Sequence, residues 1–307
     1  MKLRTKYLTA IALSLLASSS AWATWRDTSD CPFCVTFDTG AANNVGNLPN
    51  TGSNLTWNND QVIGWFIQSS GSTPFNDGSK YNTDNGSATG AGIYDYGNGT
   101  ANNRALGGIA GGTVGNIAYG LLIHNTTGAT LNNLYINYTG EEWRNGGAAG
   151  AQTIAVSYAK ATAAQGTSTF FGSSYGTGTG VSGNLTPGTT TGTAGGNTWV
   201  AGPAGSTFST PVTGGTAGAL DGTLPANSSN LTFSLTGLAL ESNAYLMIRW
   251  LDIDDGGAGT ADSALAIDNV CVSLTAPVPE TSTYVAGAAV ALMVGGTALR
   301  RRMQKKA

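Results

Sequence analysis

Charge is scarce in this chain. Only 10% of its 307 residues are Asp, Glu, Lys or Arg, and there is one His and three Cys. A single His excludes most triads built on an imidazole base, and three Cys cannot make a four-thiolate zinc site. So few charges, set beside 45 glycines, exclude helical bundles and coiled coils, which draw on Ala, Glu, Lys, Leu and Arg. With 41% hydrophobic residues, the chain is also unlike a solvated disordered tail.

The charges that remain are unevenly placed. Lys2, Arg4 and Lys6 crowd the start, and Arg300, Arg301, Arg302, Lys305 and Lys306 crowd the end. Six basic residues lie between them against all 17 acids, a net charge of −11. Such a body repels phosphate backbones, so no nucleic-acid partner is expected.

The first 23 residues read as a signal peptide. A basic start leads into an apolar stretch over residues 7–17, then small residues, then Ala21-Trp22-Ala23, an A-x-A cleavage pattern. The apolar run is shorter than the roughly 20 residues a membrane span needs. Signal peptidase and the export machinery are therefore expected partners, with cleavage after Ala23.

The other end, residues 278–307, has three parts. Val278-Pro279-Glu280-Thr281-Ser282-Thr283 precedes an uncharged apolar run over 284–299, and the basic tail 300–307 follows. As a helix the run would reach about 24 Å, against a hydrocarbon core of about 30 Å. Tyr284 at one interface and snorkelling arginines at the other would let this short transmembrane helix lodge in a bilayer. This order resembles the PEP-CTERM sorting signal, processed by exosortase-type transpeptidases in Gram-negative bacteria rich in exopolysaccharide. That family usually has Pro after the Glu, where Thr281 stands, and Val-Pro-Glu-Thr-Ser is also similar to a degenerate sortase motif. The resemblance implies delivery to the cell surface or extracellular matrix, with transient inner-membrane anchoring. An uncut anchor is the alternative.

Residues 24–277 show alternation of period two. Tyr119/Leu121/Ile123, Leu134/Ile136/Tyr138, Ile154/Val156/Tyr158, Leu231/Phe233/Leu235 and Leu246/Ile248/Trp250 each alternate with mostly polar residues, as half-buried strands do. Turn clusters such as Asn125-Thr126-Thr127-Gly128 separate them, and no amphipathic helix is evident. The expectation is all-β: an antiparallel β-sandwich, jelly-roll-like. Gly/Thr/Ser-rich stretches over 165–205 and 69–103 read as long surface loops, the first carrying one or two short strands and the second Ile93-Tyr94-Asp95-Tyr96 as a strand. Phrases including Gly64-Trp65-Phe66, Arg104-Ala105-Leu106-Gly107, Tyr138-Thr139-Gly140-Glu141-Glu142-Trp143-Arg144-Asn145-Gly146, Ile248-Arg249-Trp250-Leu251-Asp252-Ile253-Asp254-Asp255 and Leu265-Ala266-Ile267-Asp268-Asn269 resemble a family of secreted bacterial sandwich domains. That resemblance implies a surface-associated module with no defined ligand. Its usual Asp-His-Gly is Asp262-Ser263-Ala264 here.

Candidate chemistry concentrates in two places. Asp252, Asp254, Asp255, Asp262 and Asp268 surround a Gly-rich turn, and hard oxygen ligands so placed suit Ca2+, the one candidate cofactor. The competing reading is Asx-turns, with Asp252 or Asp268 paired to Arg249. Trp143, Arg144 and Asn145 form a candidate sugar platform, an indole for stacking beside two hydrogen-bonding groups. The competing reading, the favoured one for any single Trp, is a strand end where Arg144 pairs with a carboxylate and Trp143 covers the core edge.

No catalytic residue is assigned. Glu141 and Glu142 are adjacent and would face opposite sides of a strand, unlike a glycosidase pair. His124 reads as a solvent-facing strand residue. Gly178-x-Gly180-x-x-Gly183 lacks the strand and helix of a dinucleotide site. Cys31-Pro32-Phe33-Cys34 is followed by strand residues rather than the helix of a redox motif. Export favours disulfides, and three cysteines allow three pairings. Cys34–Cys271, which would staple the first strand to the last, is favoured because both sit on the polar side of strands.

The function these features favour is a non-enzymatic, exopolysaccharide-associated surface protein. The alternative is a calcium-dependent carbohydrate-binding module, and a glycoside hydrolase ranks third. N-terminal sequencing of the exported protein should read Thr24-Trp25-Arg26; a reading that starts at Met1 would contradict cleavage after Ala23.

Overall fold

The computed structural model describes residues 25–38, 55–57, 62–71, 80–99, 103–167, 170, 185–194, 196–255 and 262–276. The cleavage site at Ala21 and Ala23, the Gly178–Gly183 pattern and the whole sorting signal (Val278, Pro279, Glu280, apolar run, Arg300, Arg301, Arg302) lie outside the described residues. Among the described residues no helix is long and apolar enough to cross a membrane.

Two sheets form. The first contains β1 (Arg26–Asp27), β4 (Trp65–Ser69), β8 (Ile117–His124), β10 (Thr153–Ala161), β11 (Gly192–Ala194), β12 (Asn197–Ala201), β13 (Phe208–Ser209) and β16 (Tyr245–Asp252). Its order is β1-β8-β16-β10-β12-β11, with β4 on β8 and β13 on β10. The second contains β2 (Phe33–Val35), β3 (Leu55–Thr56), β5 (Lys80–Asp84), β6 (Gly92–Gly97), β7 (Arg104–Ile109), β9 (Leu134–Asn145), β14 (Gly218–Ala219), β15 (Ser228–Leu235) and β17 (Ala264–Ser273). Its order is β14-β9-β17-β7-β6-β5-β3, with β15 on β9 and β2 on β17.

The alternating runs read from the sequence are β8, β9, β10, β15 and β16. Their apolar positions face one another: Tyr119, Leu121, Ile123, Ile248 and Trp250 of the first sheet share a buried core with Leu134, Ile136, Tyr138, Phe233 and Leu265 of the second. Trp250 stacks on Trp65 at 5.3 Å and meets Tyr138 edge-on at 5.8 Å. Rings of this size each bring about 150–250 Å2 of surface to the interface that joins the layers.

The expected all-antiparallel sandwich needs one correction: both sheets are mixed. β1 runs parallel to β8, and β5 runs parallel to β6. β5 escaped the alternation because Tyr81 is the one apolar residue in Lys-Tyr-Asn-Thr-Asp, which suits a strand near a sheet margin. β17 carries a bulge between Asp268 and Cys271. Asn269 takes φ 50° there, a left-handed conformation that Asn tolerates. The extra residue turns Asn269 to solvent while Ile267 and Val270 both stay in the core.

Cys34 and Cys271 lie directly opposite each other on β2 and β17 and are bonded, with Cα atoms 4.0 Å apart. Cys31 is left over, half-buried, its thiol pushed up to about 11 chiefly by burial. A bond spanning 237 residues stabilises by about 5 kcal/mol in the chain-entropy description. Cys34→Ser with Cys271→Ser should therefore lower the denaturant midpoint strongly, and dithiothreitol should do the same to the native protein; a midpoint unchanged by either would refute the staple.

Candidate functional site

The outer face of the second sheet carries a polar groove of about 340 Å3, lined by Asn103, Thr139, Glu141, Thr223, Pro225, Ser228, Ser229, Asn230 and Asn269. Register explains why these residues meet. Thr139 is paired with Asn230, and Glu141 with Ser228, across β9 and β15. Asp268, the neighbour of Asn269, is paired with Thr139 across β9 and β17. Asn103 stands just before β7, the next strand in the sheet. The groove thus crosses four adjacent strands, and every lining side chain except Pro225 carries an amide, hydroxyl or carboxylate.

Some of these groups are already fixed. The Thr139 hydroxyl donates to Asn230 Oδ1 at 2.9 Å. The Thr223 backbone N–H and hydroxyl both donate to Asp221 Oδ1, at 3.1 and 2.6 Å, which holds the loop at the groove rim. Glu141 is 4% exposed, and its Oε2 accepts the Trp143 indole N–H at 2.8 Å. Burial pushes the Glu141 carboxyl up to about 7 despite that bond.

This environment revises the expected sugar platform. Trp143 is 1% exposed, stacked on Tyr96 at 5.7 Å. The opposing chain is so close that a β-carbon on Gly222 would stand 2.5 Å from the indole nitrogen. Asn145 is buried, donating to the Gly214 carbonyl at 2.7 Å and accepting from Gly147 N–H at 2.8 Å. Arg144 reaches the Gly86 carbonyl at 3.4 Å. The three residues tie β9 to neighbouring loops and offer no open stacking face. The sequence reading missed the groove itself, whose signal was the polar alternate positions of β9 and β15.

Of the five aspartates, four come together and one does not. Asp252 ends β16 and is 3% exposed; the charges acting on it are those of Asp262, Asp255 and Asp254. Gln152 Nε2 donates to Asp255 Oδ1 at 2.9 Å and to Asp262 Oδ1 at 2.7 Å. Asp268 stands apart on the outer side of β17, where its charged neighbours are Glu141, Asp38 and Asp95. Among the described residues no three His, Cys, Asp or Glu side chains stand at metal-ligand spacing.

Arg249 pairs with neither Asp252 nor Asp268. It lies over the Trp199 ring at 3.9 Å. Its Nε donates to the Ser157 hydroxyl at 2.9 Å, and its terminal nitrogens donate to the carbonyls of Leu185, Thr186 and Thr190. Burial lowers its pKa to about 10.

His124, expected to face solvent, is 15% exposed: it stacks on Tyr245 at 4.5 Å, and its Nδ1 lies 2.9 Å from Asp27 Oδ1. Glu141 and Glu142 diverge, Glu142 Oε2 accepting the Val212 N–H at 2.9 Å, so they do not form a facing pair.

No protein-family profile matches the chain, and no curated protein is similar to it. Three solved structures show distant likeness. The CBM22-2 xylan-binding domain of Paenibacillus barcinonensis Xyn10C is 10% identical, with TM-score 0.32 over 69% of this chain and 92% of that one. TmCBM61, solved with β-1,4-galactotriose, is 7% identical, with TM-score 0.25 over 68% and 86%. The enzymatically active domain of bacteriophage CBA120 tailspike protein 4 is 8% identical, with TM-score 0.29 over 68% of this chain; the match spans 19% of that chain's length.

Buried carboxyls set a pH dependence. Desolvation raises Glu141 and Glu142 to about 7, so the folded state holds protons that the unfolded chain has released. Stability from these groups is full below the unfolded carboxylate range near pH 4 and declines as pH rises to about 7. The melting temperature should fall over that interval in buffer free of divalent cations, and Glu141→Gln should flatten the fall. A midpoint that instead rises from pH 4 to 7 would show the carboxylates to be stabilised as anions.

Proposed function

We propose that the protein is an exported, non-catalytic sandwich module that binds neutral polysaccharide in the groove across β15, β9, β17 and β7. The observation that carries this reading is the lining itself. Amides from three asparagines and hydroxyls from Thr139, Thr223, Ser228 and Ser229 surround one largely buried carboxylate. These groups donate and accept at close spacing, the pattern that matches vicinal sugar hydroxyls. The net charge of −11 between the basic termini disfavours phosphorylated or sulfated ligands.

The location is supported by the Cys34–Cys271 bond, since disulfides persist in oxidising compartments, and by the signal-peptide and PEP-CTERM-like segments of the sequence. In this reading an exosortase-type transpeptidase releases the chain to the cell surface, where the module holds exopolysaccharide. Non-catalytic action fits the divergence of Glu141 and Glu142.

Printed arrays of neutral glycans probed with the full-length chain should give saturable binding. Asn230→Ala with Asn269→Gly, both on exposed positions and the glycine free to keep the left-handed φ of 50°, removes about two hydrogen bonds. At about 1 kcal/mol each, affinity should drop roughly thirtyfold with the melting temperature held. Absence of binding to every neutral glycan, or full affinity in the double variant, would remove the groove as the site.

A further inference from the structure

Four aspartates gather where β16 leaves the sandwich and β17 enters it, and the cluster has features that hydrogen bonding within it does not explain. Asp252 is only 3% exposed, and its Oδ2 has no hydrogen-bond partner among the described residues. The charges that act on this carboxyl are all acidic, from Asp262, Asp255 and Asp254. A buried carboxylate oxygen with no hydrogen-bond partner and three acidic neighbours favours taking up a proton or a cation.

Two of the carboxylates converge on one stretch of backbone. Gly111, at φ 115°, has no side chain. The point where its β-carbon would stand lies 3.2 Å from Asp262 Oδ2 and 3.5 Å from Asp254 Oδ1. Carboxylate oxygens from two different segments therefore flank the same glycine. The surroundings hold them there: Asn116 Oδ1 accepts the Asp254 backbone N–H at 2.9 Å, and Gln152 bridges Asp255 to Asp262.

We propose that Asp252, Asp254, Asp255 and Asp262 bind a Ca2+ ion at this end of the sandwich. Every donor is a hard oxygen and none is nitrogen or sulfur, which selects against zinc; a six-to-eight oxygen shell of loose geometry suits Ca2+ over the strict octahedron of Mg2+. Because the carboxylates stand wider apart than ligand spacing, binding pulls the exposed Asp254 and Asp255 inward and ties the end of β16 to the start of β17. Asp268, on the outer sheet face, takes no part. The site stands independently of the groove, so its failure would leave the carbohydrate reading intact.

The test is calorimetric titration of the chelator-stripped full-length chain with CaCl2, alongside melting curves in EDTA, CaCl2 or MgCl2. One saturable site and a higher melting temperature in Ca2+, with little effect of Mg2+ at equal concentration, are expected. Asp254→Asn, at an exposed position that leaves the core intact, should weaken Ca2+ binding at least tenfold, while Asp268→Asn should leave it unchanged. Absent binding, equal response to Mg2+, or unaltered affinity in Asp254→Asn would overturn the proposal.

Discussion

The contact on which the architecture depends is the aromatic seam between the sheets. Trp65 and Trp250 come from one layer and Tyr138 from the other, and Phe37 meets Trp65 edge-on at 4.9 Å. A core of rings is dense and shape-specific, and truncating one such ring typically costs about 3–5 kcal/mol. Once these positions are committed inward, period-two alternation sends the intervening residues outward. The groove is a consequence: Thr139 and Glu141 face out because Ile136 and Tyr138 face in. So is the acidic end, where the core-facing alternation of Leu246, Ile248 and Trp250 runs on into Asp252.

Much of this arrangement was legible in the chain. Strong alternation located β8, β9, β10, β15 and β16, and the paired polar sides of two distant strands pointed to the Cys34–Cys271 staple. What escaped was whatever depends on partners far along the sequence. Glu-Glu-Trp-Arg-Asn leaves open an exposed sugar platform or an indole covering the core edge, and only distant Tyr96 and the chain around Gly222, which bury Trp143, decide for the second. Asp252 and Asp268 look like members of one set, but about 3.3 Å of rise per residue along β17 carries Asp268 away from Asp262. The groove needs four strands from separate regions, so no contiguous motif announces it.

The interior also shows three ways of burying charge. Asp95 meets Arg104 directly, with 2.6 Å between Oδ2 and Nε, and burial still pushes the carboxyl up to about 7. Asp252 has three other acids and the buried Tyr96 and Tyr119 hydroxyls as its electrostatic neighbours. Arg249 is neutralised by dipoles alone, which is tolerable because a guanidinium spreads its charge over a plane and can lie flat on an indole.

That last solution bears on how the sequence is free to change. The Arg249 guanidinium grips main-chain oxygens of Leu185, Thr186 and Thr190, and every amino acid brings the same oxygen. Apart from Leu185, whose side chain is buried against the sheet, the covering segment can therefore drift among small residues while staying fastened. Low complexity there is the freedom left to a strap whose buckle ignores the pattern of the leather.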